Sequence, residues 1–406
     1  MMIGLAMITY LDRACIGKLA PDIQRDLSLS KEQMSWVFSA FALAYAIFEM
    51  PTAWWADRQG TRGVLARIVL WWSGLTMLTG AAFNYVSMLV VRFLFGAGEA
   101  GAWPCMARTF SRWIPSASRG RVQGIFFAGA HFAAFLAPLV AYWLNNIVGW
   151  RMVFVIFGAL GVVWIAWWLK SFRNEPSEHP GVNAAELALI NAGRSQVVES
   201  HHGGPGYWKR LFSHRNTIPL CLAYIPNNCT FYFCITWLPT YLQEKHQFDA
   251  LKLGFFSGLP FLTAVIGDVS GGAVTDWATR RFGLRIGRAG VTATANIVAG
   301  IAMVSATQAS NPVLAICLIS LAVTATMFTL ASTWATCQDI GGRHTGMVGA
   351  TMNTAGQIGA IASPPLVTYL LAKFGDWNAP VAGIGILLFL GAFLWIFINP
   401  RDKIFE

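Results

Sequence analysis

Charge is what this 406-residue chain has least of. Asp, Glu, Lys and Arg together make up 12% of it, where a soluble domain carries about 25%. That deficit excludes a cytosolic enzyme, a disordered chain and a nucleic-acid binder. Cysteine is sparse as well. The seven cysteines (Cys15, Cys105, Cys221, Cys229, Cys234, Cys317 and Cys337) lie in apolar runs and form no CxxC pair. They read as small packing residues, not as a disulfide framework or a metal site. Metal-ligand spacings, a nucleophile elbow and a phosphate loop are also missing, so neither an enzyme nor a bound cofactor is expected. The chain begins without the pattern of a cleavable leader. What is abundant is apolar: 55% of residues are hydrophobic and mean hydropathy is +0.52. The net charge of +10 sits mostly in short gaps between long apolar runs, where it reports membrane topology first.

A bilayer core about 30 Å thick needs about 20 apolar residues in a helix. Twelve such runs can be placed, at 1–20, 33–55, 64–84, 86–110, 120–145, 150–170, 216–243, 251–278, 287–307, 311–338, 345–373 and 379–400. They are continuous, unlike the alternating strands of a membrane barrel. With both ends inside, twenty of the 29 Lys and Arg residues fall in inner loops and seven outside, while Arg13 and Arg92 fall within spans. The basic bias therefore predicts a multi-pass inner-membrane protein, solvated by lipid, with both termini in the cytoplasm.

The stretch 171–215 is the longest between spans and holds Asn174, Pro176, Pro180, Gly203, Gly204, Pro205 and Gly206. Within it, Leu187, Ile190 and Val197 recur at roughly helical spacing, which predicts a short amphipathic helix over 184–198. The organisation predicted is a six-helix bundle at 1–170, a cytoplasmic linker at 171–215 and a second six-helix bundle at 216–406. A repeat supports it. Ala53-Trp-Trp-Ala-Asp57-Arg58-Gln-Gly60-Thr-Arg62 follows span 2, and Gly272-Ala-Val-Thr-Asp276-Trp-Ala-Thr-Arg280-Arg281-Phe-Gly283-Leu-Arg285 follows span 8. Both place Asp four residues after a small residue, then Arg and Gly in a tight inner loop. A duplicated six-span unit explains this better than two unrelated topogenic loops.

This loop resembles the signature G-x-x-x-D-R-x-G-x-R of the major facilitator superfamily, with Ala53 in the place of its first Gly. Further segments narrow the resemblance: Tyr10-Leu-Asp12-Arg13, Phe38-Ser-Ala-Phe41, Tyr45 through Pro51, Arg92 through Glu99 with Trp103-Pro104, His179-Pro-Gly-Val-Asn-Ala-Ala-Glu186, and Thr236-Trp-Leu-Pro-Thr-Tyr241. Together they are similar to the anion:cation symporter family, which includes bacterial hexuronate, glucarate and D-galactonate transporters and animal sialin. The resemblance runs from Tyr10 to about Asn399. It implies an all-α membrane protein with twelve transmembrane helices in two pseudosymmetric six-helix bundles.

A charge at the centre of a span costs roughly 2.5–3.5 kcal/mol on insertion scales, so such residues face the bundle interior and usually pair. The inventory is short: Asp12 and Arg13 in span 1, Glu49 in span 2, Arg92 and Glu99 in span 4, Asp268 in span 8, with His131 in span 5 able to join them. At about 100° per residue, Arg92 and Glu99 share a helix face to within about 20° and stand about 10 Å apart. Adjacent Asp12 and Arg13 point about 100° apart, so one can face span 4 while the other faces a cavity. Two acids and two bases sum to zero charge. A static salt-bridge network is the plain reading. The functional one is a proton relay, because a carboxylate responds both to desolvation and to a neighbouring Arg. Exchanging that Arg between an acid and a substrate carboxylate links proton uptake to anion binding. The resemblance implies the same: Asp12 and Glu99 as protonation sites, Arg13 as the substrate-carboxylate contact, and Arg92 as their charge partner.

A small hydrophilic anion also needs several hydrogen bonds in a mostly apolar pocket. Candidates are Tyr10, Tyr45 and His131 in the first half, and Asn227, Asn228, Tyr232, Ser332, Thr333, Trp334, Asn353 and Gln357 in the second. His131 stands where relatives carry Gln. Interhelical hydrogen bonding is the alternative role for each. Asp57, Arg58, Asp276 and Arg281, with Glu49 and Asp268, are the expected gate residues. The function expected is proton-coupled import of an organic anion by a monomer through alternating access, the anion being a sugar acid such as an aldonate, hexuronate or aldarate. An anion exchanger or uniporter is the alternative within transport, and a transporter-derived membrane sensor the alternative outside it.

Overall fold

The structure is a computed structural model. It describes residues 1–114, 119–192, 205–341 and 345–404; within these, the side chains at 50, 53, 54, 56–59, 104, 107, 108, 111, 119–121, 123, 124, 191, 192, 205–208, 250 and 345–347 lie outside the description. All regular structure among the described residues is helical.

The first five helices are α1 (Met2–Leu27), α2 (Lys31–Gln59), α3 (Thr61–Gly80), α4 (Tyr85–Glu99) and α5 (Ala102–Trp113). The next, α6 (Arg119–Ser171), is two helical arms meeting at Gly149, whose φ of 77° and ψ of 160° are open to glycine at little cost. The connecting stretch holds a 3-10 turn (Pro176–Glu178), α7 (Ala184–Ala192) and α8 (Pro205–Ser213). Then come α9 (Thr217–Thr236), α10 (Leu238–His246), α11 (Ala250–Phe282), a π-helical turn (Ile286–Gly290), α12 (Val291–Gln308), α13 (Pro312–Gly341), α14 (Thr345–Phe374) and α15 (Asn378–Trp395). A short helix, α7, stands at the start of the stretch expected to be an amphipathic helix, and its first turn is capped by the Asn183 carboxamide accepting from Glu186 N at 2.8 Å. Residues 193–198 of that expected helix lie outside the described residues.

These helices make twelve crossings, with α4–α5 and α9–α10 each forming one crossing and the arms of α6 forming two. Pro104 and Pro239 lack the N–H that would continue the helix ladder to Ala100 and Ile235, so expected spans 4 and 7 are interrupted at Ala100–Gly101 and at Trp237. Seven described helices are long and apolar enough to cross a bilayer by composition alone. In α1 the apolar window is broken by Asp12, Arg13 and Lys18, three charged or ionisable residues that lie buried.

The chain forms two compact units, Met1–Glu199 and Ser200–Glu406. In the first, α1 packs on the opening arm of α6, α2 on α4, and α3 on both α4 and the closing arm of α6. In the second, α9 packs on α14, α11 on α13, and α12 on both α13 and α15. Numbered by span, the pairings 1·5, 2·4, 3·4 and 3·6 recur as 7·11, 8·10, 9·10 and 9·12, so the duplication read from the loop motif extends to helix packing. Closest approaches recur too. A methyl group on Gly96 of α4 would collide with the Phe41 carbonyl of α2, and one on Gly271 of α11 with the Phe328 carbonyl of α13. Small residues permit such backbone proximity where lipid offers no hydrophobic force between helices.

The start of α3 and the end of α5 are tied to the last turn of α6 and the chain that follows it. Arg62 N donates to Asn174 Oδ1 at 2.9 Å, Arg62 also donates to Leu169 O, Arg112 pairs with Glu175, and Trp113 Nε1 donates to Arg173 O at 3.2 Å.

Candidate functional site

The site in unit 1 begins with the start of α4. The Asn84 carboxamide accepts from Ser87 N at 2.8 Å and the Ser87 hydroxyl accepts from Asn84 N at 3.0 Å, a reciprocal cap that fixes where the helix begins. Fifteen residues later α4 ends on Glu99. Arg92 and Glu99, two turns apart on one face, are turned inward with exposures of 3% and 0%. From α1, Asp12 and Arg13 meet them with exposures of 1% and 8%.

Arg13 Nε donates to Glu99 Oε1 at 2.6 Å. A charge-assisted contact this short and this buried is among the stronger polar interactions a protein makes. Aromatic rings surround the guanidinium: its Cζ lies 4.9 Å from the centre of Tyr45, 5.1 Å from Phe41 and 5.8 Å from Tyr10. Phe41 also serves the second cation, with Arg92 Cζ 5.4 Å from its centre and 4.5 Å from Phe95. One phenylalanine on α2 thus stands between two buried guanidinium groups, each attracted to a ring face. The Tyr10 ring meets His131 of α6 edge-on at 5.9 Å and Trp103 of α5 at 6.2 Å. Asp12 stands within electrostatic reach of Arg92 and Glu99, beside Thr76 of α3. The Cys15 thiol donates to the Asp12 carbonyl at 3.5 Å.

Unit 1 therefore brings together Asp12, Arg13, Arg92, Glu99, Tyr10, Tyr45 and His131. Sequence reasoning gave no place in the site to Phe41, Trp103, Thr76 or Cys15, the last being read as a packing residue. Phe41 and Trp103 lie in segments that carried the family resemblance, the only sequence signal available for them.

In unit 2, Asn227 Nδ2 donates to Thr329 Oγ1 at 2.9 Å and ties α9 to α13. Asn228 and Tyr224 close over Gly356 of α14. Tyr232 and Gln357 are buried, and Asn353 is half-buried. The Thr333 hydroxyl is turned onto its own helix, donating to Thr329 O at 2.8 Å, and the Ser332 hydroxyl donates to Arg288 O at 3.0 Å. Trp334 is 41% exposed and lies along Gly349.

Of the expected gate residues, Asp276 approaches Arg288 at 3.7 Å, and Arg288 also donates to Asp339 Oδ2 at 2.9 Å. Arg281 is exposed, while Asp268 and Glu49 are half-buried on α11 and α2. The side chains of Asp57 and Arg58 lie outside the described residues. Among the described residues no group of His, Cys, Asp and Glu side chains is arranged to hold a metal ion.

An all-α membrane fold of twelve crossings, with charged side chains buried inside one half, is the frame of a membrane transporter. The chain belongs to the Major Facilitator Superfamily, whose family model matches residues 2–364. It is 34% identical over 399 residues to the probable sulfoacetate transporter SauU of Cupriavidus necator, covering 97% of this chain and 91% of that one. It is 31% identical over 407 residues to the probable galactarate/D-glucarate transporter GudP of Bacillus subtilis, covering 97% and 88%. Among solved structures, a bacterial homologue of the human lysosomal transporter Spinster, inward-facing and occupied, matches with a TM-score of 0.77 at 18% identity, covering 97% of this chain and 95% of that one. That likeness concerns the fold.

Proposed function

We propose that this transporter imports a small organic anion, a sugar acid of the aldonate, hexuronate or aldarate class, together with protons, by alternating access. It acts as a monomer in the cell inner membrane with both termini in the cytoplasm. The observation that carries the reading is the buried Arg13–Glu99 contact at 2.6 Å inside its aromatic cage.

An arginine held by a glutamate in a sealed apolar site can change partners. A substrate carboxylate that takes Arg13 leaves Glu99 without its cation, and Glu99 then takes up a proton so that the cluster keeps its charge balance. Asp12, near Arg92 and Glu99, serves as the second proton site, and Arg92 holds the balance when either acid is ionised. Tyr10, Tyr45 and His131 orient the substrate beside Arg13. In unit 2, Asn228, Tyr232, Thr333, Trp334 and Asn353 are assigned to its hydroxyl groups. Asp57, Arg58, Asp276, Arg281, Glu49 and Asp268 are assigned to gating, and the stretch 171–215 to a cytoplasmic linker between bundles 1–170 and 216–406.

Purified protein in proteoliposomes tests the coupling. Glu99→Gln is expected to keep substrate counterflow and to lose accumulation driven by a pH gradient, while Arg13→Ala loses the ligand-induced rise in melting temperature given by the wild type. Undiminished accumulation by Glu99→Gln removes that residue from coupling. The relationship to a sulfoacetate transporter favours a second reading of the cargo, a small sulfonated carboxylate, and sulfoacetate belongs in the same thermal-shift screen as the sugar acids. Equal uptake with and without a pH gradient would favour exchange or uniport.

A further inference from the structure

The loop after α11 is rich in arginines that lie open to the surroundings. In unit 2, Arg280, Arg281, Arg285 and Arg401 are all exposed, and none forms an ion pair with a described residue. The acids close to them in sequence are engaged elsewhere, Asp276 toward Arg288 and Asp402 on Arg215.

Two of these cations are held against the ends of neighbouring helices. Arg285 Nη2 donates to Ile396 O at 3.3 Å, which draws it to the end of α15. The Arg401 guanidinium lies over Gly283, the residue that ends α11; its Nη2 is 3.3 Å from where a Cβ would stand.

The surface leading to this cluster is apolar. On α11, Ile266, Val269, Val274 and Trp277 are exposed, Val269 by 66% and Trp277 by 56%. At about 100° per residue, these four together with Arg280 and Arg281 lie within an arc of about 140°. The exposed apolar stripe of α11 therefore runs directly into two arginines, with Trp277 at the junction and its ring edge-on to Phe282 at 5.6 Å. In a helix that crosses a bilayer, tryptophan followed by arginine along one exposed apolar stripe is the pattern of the level where hydrocarbon gives way to headgroups.

From this arrangement we propose that the end of α11, with Arg280, Arg281, Arg285 and Arg401, is a binding site for an anionic glycerophospholipid. The acyl chains lie along the α11 stripe, and the phosphate is held by the arginines as charge-assisted hydrogen bonds. The site is independent of the cargo chemistry proposed for unit 1.

Native mass spectrometry of the full-length protein in mild detergent tests it, with equimolar phosphatidylglycerol and phosphatidylcholine of matched chains. Wild type is expected to retain phosphatidylglycerol at least tenfold over phosphatidylcholine, and excess glycerophosphoglycerol or inorganic phosphate to leave it bound. The triple variant Arg280→Gln, Arg281→Gln, Arg285→Gln is expected to lose that preference. Lys252→Gln, which removes a charge at the opposite end of α11, is expected to keep it. Equal retention of the two lipids by wild type overturns the proposal, as does an unchanged preference in the triple variant. Displacement by the soluble headgroup or phosphate overturns the lipid in favour of a free anion. Should the triple variant not fold, the wild-type selectivity and the single variant Arg281→Gln, expected to reduce it several-fold, decide the matter.

Discussion

Phe41 is the residue of α2 that lies against both buried cations, since both guanidinium groups lie within 5.4 Å of its ring centre. Each such contact contributes about 0.5–2 kcal/mol. Phe41→Leu keeps most of the volume and removes the ring face, so substrate affinity is expected to fall by about 3- to 30-fold, with Phe41→Tyr restoring it. A thermal-shift titration checks this, and unchanged affinity in the leucine variant would show that the ring is mere filling. The four ions were legible in the sequence because a charge inside an apolar run has few explanations. Phe41 was not, being one of 28 phenylalanines in a chain where aromatics face lipid as readily as a site. Arg288 and Asp339 show the converse: both are charged and near span ends, but their pairing at 2.9 Å joins residues 51 apart and depends on how α13 lies against the turn before α12.

Among helices, the close crossings of α2 with α4 and of α11 with α13 are the repeated element. Gly96→Ala and Gly271→Ala each push a methyl group into a backbone carbonyl that cannot rotate away. Each is expected to cost about 1–3 kcal/mol and to lower the melting temperature, whereas Gly74→Ala on α3, with nothing within 4 Å, should leave it unchanged or slightly raised. A thermal denaturation series of the three variants checks the contrast, and equal effects would mean that the crossings yield. Hydropathy located every crossing, because each has to clear the same bilayer thickness. It gave no sign of the interruptions at Ala100–Gly101 and Trp237, since the apolar character runs on through both and only the ladder is broken.

For the molecule as a whole, the basic bias sets the expected orientation. Alkaline phosphatase fused after Lys403 is expected to be inactive and after Ser310 active in a bacterial inner membrane; the reverse pattern would invert the topology. The duplication was legible twice, first in the loops carrying Asp57 and Asp276 and then in packing pairs that no linear pattern displays. The buried ion quartet, by contrast, belongs to unit 1 alone. Its central contact joins Arg13 to a glutamate 86 residues further along. During biosynthesis α1 leaves the ribosome carrying Asp12 and Arg13 long before Glu99 and Arg92 exist. By itself it is a poor candidate for release into lipid. The partner that neutralises Arg13 is made only when α4 is, so the burial of this charge is completed by a helix three crossings later.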